Sequence, residues 1–325
     1  MPRYVVTGTL PEGVDALCPP GTRFQFPGPD PADRDLLLDQ LADAEGLLCM
    51  LVDRIDVALL DAAPGLRVIS QLAVGVDNID VAACTARGIP IGHTPDVLTE
   101  TTADTALALL LASLRRIPEG QSLVRAGEWR QWSLDLLTGE DLHDSTVGIV
   151  GLGRIGAAIA RRLRGFRVRL LYTGPRRKPE IESELQIGYR SLDELLADSD
   201  HVVLSAPLNG ATRNLIDDAA LKKMRPGATL VNIARGGLVD HEALADALAS
   251  GQIARAALDV TDPEPIPFDH PLVTMPNCIV IPHLGSASAR TRLAMASRAV
   301  ENLAAGLEGR RLDWCVNSQV YERER

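Results

Sequence analysis

Thr146-Val147-Gly148-Ile149-Val150 runs straight into Gly151-Leu152-Gly153-Arg154-Ile155-Gly156, and Ala157-Ala158-Ile159-Ala160-Arg161-Arg162-Leu163 follows at once. The apolar run reads as a buried parallel strand, the last stretch as a helix, and the glycines occupy the turn between them. In that setting each glycine has a physical task. One makes the tight turn, one lets the backbone approach a pyrophosphate, and one lets helix and strand pack closely. The helix N-terminus adds unpaired N–H groups and a favourable dipole for phosphate. Gly151, Gly153, Arg154, Ile155 and Gly156 are therefore candidate contacts for a dinucleotide, and the fold they imply is a doubly wound α/β sheet.

The next strand, Arg167-Val168-Arg169-Leu170-Leu171-Tyr172, should end near the adenosine ribose. An acid usually stands there when the 2′-hydroxyl is read. Here the position is Thr173, followed by Gly174-Pro175-Arg176-Arg177-Lys178. No carboxylate repels a 2′-phosphate and cations are at hand to bind one. The expected cofactor is NADP(H), with NAD(H) possible, and Thr173, Arg176 and Arg177 are its candidate contacts.

Three charged residues follow short β-like runs in the C-terminal half. They are Arg235 in Asn232-Ile233-Ala234-Arg235-Gly236-Gly237, Glu264 in Asp259-Val260-Thr261-Asp262-Pro263-Glu264-Pro265, and His283 in Ile281-Pro282-His283-Leu284-Gly285. Gly or Pro breaks each segment, which puts the side chains on loops at strand ends, where open α/β sheets bind ligands. An Arg can fork onto a carboxylate or carbonyl oxygen, a His can pass a proton near neutral pH, and a Glu can orient that His.

Composition bounds the alternatives. The chain has 325 residues, room for two domains at ~100–200 residues each. With 46% hydrophobic but only 3% aromatic residues, its cores must be aliphatic. A formal net charge of −10 argues against nucleic acid or an anionic membrane as main partner. The five cysteines have no metal-like spacing and read as reduced thiols, so no metal is expected. Tyr4-Val5-Val6-Thr7-Gly8 resembles a first strand rather than a targeting segment, and no run of ~20 apolar residues exists to span a membrane. The expected location is the cytoplasm.

Along the chain, β-like runs at 4–7, 46–51, 67–70 and 89–92 alternate with helical patterns around 31–43 and 54–62. A long apolar-periodic helix then covers Glu100 to Arg116, with Thr99 as a plausible N-cap and Arg115-Arg116 at its far end. A last helical stretch covers about 287–308.

These motifs, taken in order, resemble the D-isomer specific 2-hydroxyacid dehydrogenase family, and most of all its glyoxylate/hydroxypyruvate reductase branch. The resemblance rests on Leu72-Ala73-Val74-Gly75-Val76-Asp77-Asn78-Ile79-Asp80, His93-Thr94-Pro95-Asp96-Val97-Leu98-Thr99, the Gly151 to Gly156 loop, Ala206-Pro207-Leu208, the Arg235 segment, Leu258-Asp259-Val260 through Glu264-Pro265, and Pro282-His283-Leu284-Gly285-Ser286-Ala287. Tyr172-Thr173-Gly174 before the arginines is similar to the NADPH-using members. Asp104 departs from the pattern, since many members carry Glu there.

The resemblance implies two Rossmann-like doubly wound domains with a cleft between them. The substrate-binding domain would be discontinuous, 1–98 with 285–325, around a dinucleotide-binding domain at 99–284. It implies reversible reduction of a small 2-oxoacid (glyoxylate or hydroxypyruvate) to the D-2-hydroxyacid. Arg235 would hold the oxo group, His283 would give the proton and Glu264 would orient His283. Ala206, Pro207, Ile233, Ala234, Asp259 and Gly285 would join the cofactor contacts, and the backbone at Val74 and Gly75 would bind the substrate carboxylate alongside Arg235 and His283. Trp132, from the Gly127-Glu128-Trp129-Arg130-Gln131-Trp132 run, would reach the site of a second copy in a homodimer. The alternatives are a broader D-2-hydroxyacid dehydrogenase of the D-lactate type, or a corepressor-like protein that senses NAD(H). Corepressors carry extended partner-binding tails that this sequence lacks.

Overall fold

The computed structural model of the chain describes residues 1–26 and 33–322. Residues 31–32 of the first helical pattern and residues 323–325 of the charged C-terminus lie outside the described residues. The chain divides into two units, Met1–Leu98 with Ser288–Arg325, and Thr99–Ala287.

The first unit is built on five parallel strands, β1 (Arg3–Val6), β2 (Thr22–Gln25), β3 (Gly46–Cys49), β4 (Val68–Gln71) and β5 (Ile91–Gly92), in the order β2-β1-β3-β4-β5. β3 and β4 are buried along their whole length, as expected for strands covered on both faces. β2 is the exposed edge, and its Thr22-Arg23-Phe24-Gln25 carries no apolar run, so the sequence pattern did not mark it. The helices Arg34–Leu41, Val57–Ala62 and Val81–Ala86 each start on an aspartate, Asp33, Asp56 and Asp80. Each carboxylate accepts the N–H that opens the first turn. The C-terminal helix Ala289–Leu307 packs back on β3 and β4. Ser70 Oγ donates to Ala299 O at 2.7 Å, and Asn302 Nδ2 donates to His93 O at 3.0 Å.

The second unit carries β6 (Thr146–Val150), β7 (Arg169–Thr173), β8 (Gly188–Tyr189), β9 (His201–Leu204), β10 (Ala228–Asn232), β11 (Ile253–Leu258) and β12 (Cys278–Val280). Their order is β12-β11-β10-β9-β6-β7-β8, and every pairing is parallel. Successive side chains point to opposite faces. Val150, Val202, Leu204 and Leu230 therefore fall in one core, and Val147, Ile149, Val203 and Val231 in the other. Each such side chain contributes about 1.5–3 kcal/mol by leaving water. β7 lies on one side of β6 and β9 on the other, so the winding reverses between β6 and β9. That switch point is where sheets of this class open a crevice at the strand C-termini.

Two boundaries differ from expectation. The long helix runs Thr99–Leu114, so Thr99 is its first residue and not its cap. Arg115 and Arg116 lie past its end, and Arg116 turns into the left-handed region at φ 51° to start the helix Ile117–Arg125. The unit boundary falls after Ala287 and not after residue 284. The reason is local: Asp259 holds the N–H groups of Leu284 and Gly285, and the Ala287 N–H closes a turn on Leu284 O. Asp104, the departure from the family pattern, accepts from Arg162 Nε at 2.6 Å, an exposed carboxylate tying two helices of the second unit.

Candidate active site

β10, β11 and β12 are neighbours in register, with Asn232 beside Leu258 and Leu258 beside Val280. The loops that leave their C-terminal ends carry Arg235, Glu264 and His283. The topology therefore places the expected three residues on one edge of one sheet.

His283 and Glu264 are joined directly. Nδ1 of His283 lies 2.6 Å from Oε1 of Glu264. A carboxylate can only accept, so Nδ1 carries the hydrogen and Nε2 is the ring nitrogen suited to exchange a proton with a ligand. His283 takes φ 52°, a left-handed conformation that costs a non-glycine residue roughly 1–3 kcal/mol and persists only where its surroundings impose it. Asp259 does so here. The His283 N–H donates to Asp259 O at 2.9 Å, while the Asp259 carboxylate accepts from Leu284 N at 2.5 Å and Gly285 N at 2.9 Å. Asp259 is 1% exposed, and burial pushes its carboxyl up from the ordinary value against the pull of those N–H groups. Asp259, an expected cofactor contact, also anchors the His283 loop, because its carboxylate at the end of β11 accepts those two N–H groups.

Arg235 sits half-buried on an extended backbone, with Nη1 donating to Ala234 O at 2.8 Å. Asn232, fully buried at the end of β10, shapes this loop from both sides. Its Nδ2 donates to Arg235 O at 2.8 Å and its Oδ1 accepts from Ala234 N at 3.0 Å. The Arg235 loop lies on the Glu264 loop: a Cβ on Gly236 would overlap the Thr261 carbonyl. Arg213, from the loop after β9, donates to Asp262 of the Glu264 loop at 3.1 Å.

The glycine loop leaves β6 at the switch point. Gly151 has φ 96°, and a Cβ there would stand 2.8 Å from Ala206 Cα, so the backbones of the Gly151 and Ala206 loops touch. Gly153 is different. It has an ordinary φ of −80°, and a Cβ on it would meet no protein atom within 4 Å. Neither its backbone nor its packing calls for glycine, whereas a pyrophosphate lying close against the loop would. The residues present therefore fit a dinucleotide. Arg154 and Ile155 open the helix Arg154–Leu163, and Ile233 and Ala234 lie past the end of β10 on the same sheet edge. Ala206 and Pro207 follow β9 and complete that row.

The residues of the basic loop after β7 are placed differently from one another. Thr173 ends β7 and is buried. Arg176 is exposed and has no partner among the described residues. Arg177 is committed: it forks onto Glu182 through Nε at 3.1 Å and Nη2 at 2.7 Å, and its guanidinium lies 5.8 Å from the centre of the Tyr189 ring. That fork, with the Tyr172 hydroxyl, holds the Glu182 carboxyl down at about 2. Arg177 is thus tied to its own helix, and the intramolecular partner five positions on was not read from the sequence. Lys178 reaches the other way, with Nζ donating to Leu152 O at 2.6 Å inside the glycine loop.

Val74 and Gly75, in the first unit, lie just beyond β4, with Val74 and Gly75 at its loop. Trp132 is 75% exposed in the stretch after the helix Ile117–Arg125, with Trp129 and Leu134 exposed beside it. Among the described residues no group of His, Cys, Asp and Glu is placed to hold a metal ion, and no helix is long and apolar enough to cross a membrane.

With this geometry in hand, the comparisons with known proteins decide the family. The family model for the D-isomer specific 2-hydroxyacid dehydrogenase, NAD binding domain, matches residues 107–285. The chain belongs to the D-isomer specific 2-hydroxyacid dehydrogenase family. It is 48% identical over 312 residues to a protein of Mus musculus named glyoxylate reductase/hydroxypyruvate reductase, covering 94% of this chain and 95% of that one. It is 44% identical over 326 residues to a glyoxylate reductase of Thermococcus gammatolerans, covering 99% and 97%. Among solved structures, a protein of Thermus thermophilus superposes with a TM-score of 0.88 at 45% identity, covering 97% of this chain and 99% of its own. An NADPH-dependent glyoxylate/hydroxypyruvate reductase of Sinorhizobium meliloti, solved with NADP and malonate, gives 0.84 at 34% identity, covering 97% and 96%. As a D-isomer specific 2-hydroxyacid dehydrogenase, this chain is an NAD(P)-dependent 2-hydroxyacid oxidoreductase with the fold that the glycine loop announced.

Three side chains that shape the loops of the expected site residues do not stand out in the sequence: Asn232, Lys178 and, in the first unit, His93, whose Nδ1 lies 3.0 Å from Val74 O. Asn232 had one usable signal, a polar residue closing the apolar run Ala228-Thr229-Leu230-Val231. Lys178 had its charge alone. His93 had none, since its partner lies on a separate loop.

Proposed function

We propose that this protein reduces glyoxylate or hydroxypyruvate to the corresponding D-2-hydroxyacid, with NADPH preferred and NADH usable. The observation that carries the reading is the His283–Glu264 contact of 2.6 Å on the strand-end edge shared with Arg235. When bound, the reduced nicotinamide supplies a hydride to C2 of the oxoacid. Arg235 directs its guanidinium at the 2-oxo oxygen and stabilises the negative charge that develops there. His283 gives that oxygen a proton from Nε2, while Glu264 holds the ring through Nδ1. Hydride and proton together complete the alcohol, and in the reverse direction His283 takes the proton back. The backbone at Val74 and Gly75 holds the substrate carboxylate.

The NADPH preference is supported by Thr173 in place of an acid and by the unengaged Arg176. The Sinorhizobium meliloti relative, named NADPH-dependent, points the same way. The exposed Trp129, Trp132 and Leu134 suit a homodimer in which Trp132 meets a second copy. Five unpaired cysteines suit a cytoplasmic setting. The test is a matched panel: purified protein with NADPH or NADH, each offered glyoxylate, hydroxypyruvate and pyruvate. Fast NADPH oxidation with the first two and slow reaction with pyruvate is the expected result. Preference for pyruvate would move the assignment to a D-lactate type of enzyme.

A further inference from the structure

We propose that His93 and Gln71 are positioning residues for the substrate carboxylate: they anchor the carbonyl oxygens of Val74 and Gly75 and thereby aim the N–H groups of Gly75 and Val76 at the anion. The peptide unit sets the geometry. The carbonyl of one residue and the N–H of the next belong to one rigid plane and, in a trans peptide, point in opposite directions. Both peptide bonds here are trans.

The ring nitrogen Nδ1 of His93 lies 3.0 Å from Val74 O. A carbonyl only accepts, so Nδ1 must carry the hydrogen. Gln71 Nε2 donates to Gly75 O at 3.3 Å. Two successive carbonyls are thus drawn back into the first unit, and the N–H groups of Gly75 and Val76 face the other way. Neither N–H has a hydrogen-bond partner among the described residues. Adjacent N–H groups aimed alike form a concavity for an anion.

The amide orientation of Gln71 follows from its neighbours. Asn78 Nδ2 donates to Asp53 O at 2.7 Å and to Met50 O at 3.3 Å, so its Oδ1 is left to accept from Gln71 Nε2, at 2.8 Å. Gln71 Oε1 in turn lies 3.0 Å from the buried Cys49 thiol, which donates to it. Gln71 is fully buried, so its amide is held in a single arrangement. The Ala73 carbonyl, one residue earlier, accepts from Thr94 N at 2.9 Å, so the segment that bears His93 grips the loop at consecutive positions.

This inference rests on the proposed reduction of a 2-oxoacid, and the test separates the two. Steady-state kinetics would be run with NADPH on wild type, His93→Phe, His93→Gln and Gln71→Met, using glyoxylate and its uncharged methyl ester. His93→Phe should raise the KM for glyoxylate about tenfold, the size of one lost charge-directing hydrogen bond, with kcat within about twofold. The ester's KM should rise far less and the NADPH Kd should stay at its wild-type value, because an uncharged ester carbonyl takes only a weaker hydrogen bond from the aimed N–H groups and NADPH takes none. His93→Gln can still donate to Val74 O and should recover most of the loss, while Gln71→Met should show a smaller version of it. Should the Phe ring not be tolerated, His93→Ala asks the same question at this half-buried position. An unmoved KM in the variants, or an equal rise for acid and ester, overturns the positioning role while leaving the reductase reading intact. A wild type that turns over no 2-oxoacid overturns both.

Discussion

Nδ1 of His283 donates to Oε1 of Glu264 across 2.6 Å, although 19 positions separate them in the chain. The pair is held from below by Asp259, whose buried carboxylate takes the N–H groups of Leu284 and Gly285 and whose carbonyl takes that of His283. A left-handed histidine fixed by a buried acid has its orientation established before any substrate arrives, which is what the proposed proton transfer calls for.

Gly153 separates ligand from scaffold. Because a Cβ there meets no atom of the described residues within 4 Å, Gly153→Ala should change unfolding stability by less than about 1 kcal/mol, the range of an N-cap exchange. It should nonetheless weaken NADPH about tenfold or more, since the methyl would occupy the approach of the pyrophosphate. Thermal melts and fluorescence titration of the same sample check this. Unchanged NADPH affinity would remove the glycine loop from the cofactor site.

Arg176 and Arg177 should behave differently. Arg176→Ala is expected to raise the Kd for NADPH about tenfold or more while sparing NADH, as the loss of a charged contact to a phosphate requires. Arg177→Ala should affect both cofactors alike and modestly, because its guanidinium is tied to Glu182. Equal losses of NADPH and NADH in Arg176→Ala would end the 2′-phosphate assignment.

Arg235→Lys should not restore the function of Arg235. An ammonium lacks the planar fork and is more strongly hydrated, so kcat/KM should fall by about 10²-fold or more, the scale of a lost oxyanion donor. Single-turnover kinetics in the lysine variant would show whether hydride transfer itself slows. A variant with near-normal turnover means that any cation suffices there.

Two buried histidines set an acid limit on the fold. His201 is 2% exposed with neither ring nitrogen hydrogen-bonded among the described residues, and burial lowers its pKa. His241, 7% exposed, is lowered first by burial and then by His270. A folded-state pKa below the unfolded value means that the unfolded chain binds more protons as pH falls. Their contribution is therefore fully present above the unfolded value of about 6.5 and is lost as pH drops toward the folded value. Urea unfolding of the wild type should show stability falling between about pH 7 and pH 5, with a shallower fall in His201→Val. Identical pH slopes in the two proteins would assign the acid sensitivity elsewhere.

The sequence was most legible where chemistry is local. Strand, glycine turn and helix occupy consecutive residues from Thr146 to Leu163, and each residue type has its reason within that stretch. The loops of Arg235, Glu264 and His283 were readable for the same reason, since Gly and Pro mark the strand ends. What stayed hidden depends on partners far along the chain. The grip of Asp259 on Leu284 and Gly285 and the contact of His93 with Val74 arise only once strands have been laid side by side, whereas the ion pair of Arg177 with Glu182 is local and needs only the helix Pro179–Leu185 to form. An exposed edge strand such as β2 needs no apolar run and so leaves no pattern in the sequence, and the residue type of Thr99 favours a cap although the helix begins on it.

The central claim is that His283 delivers the proton, and the loss of NADPH absorbance with glyoxylate in wild type and His283→Ala tests it most directly. The kcat should fall by about 10²-fold or more in the variant, with NADPH binding unchanged. Near-wild-type turnover in His283→Ala would contradict it.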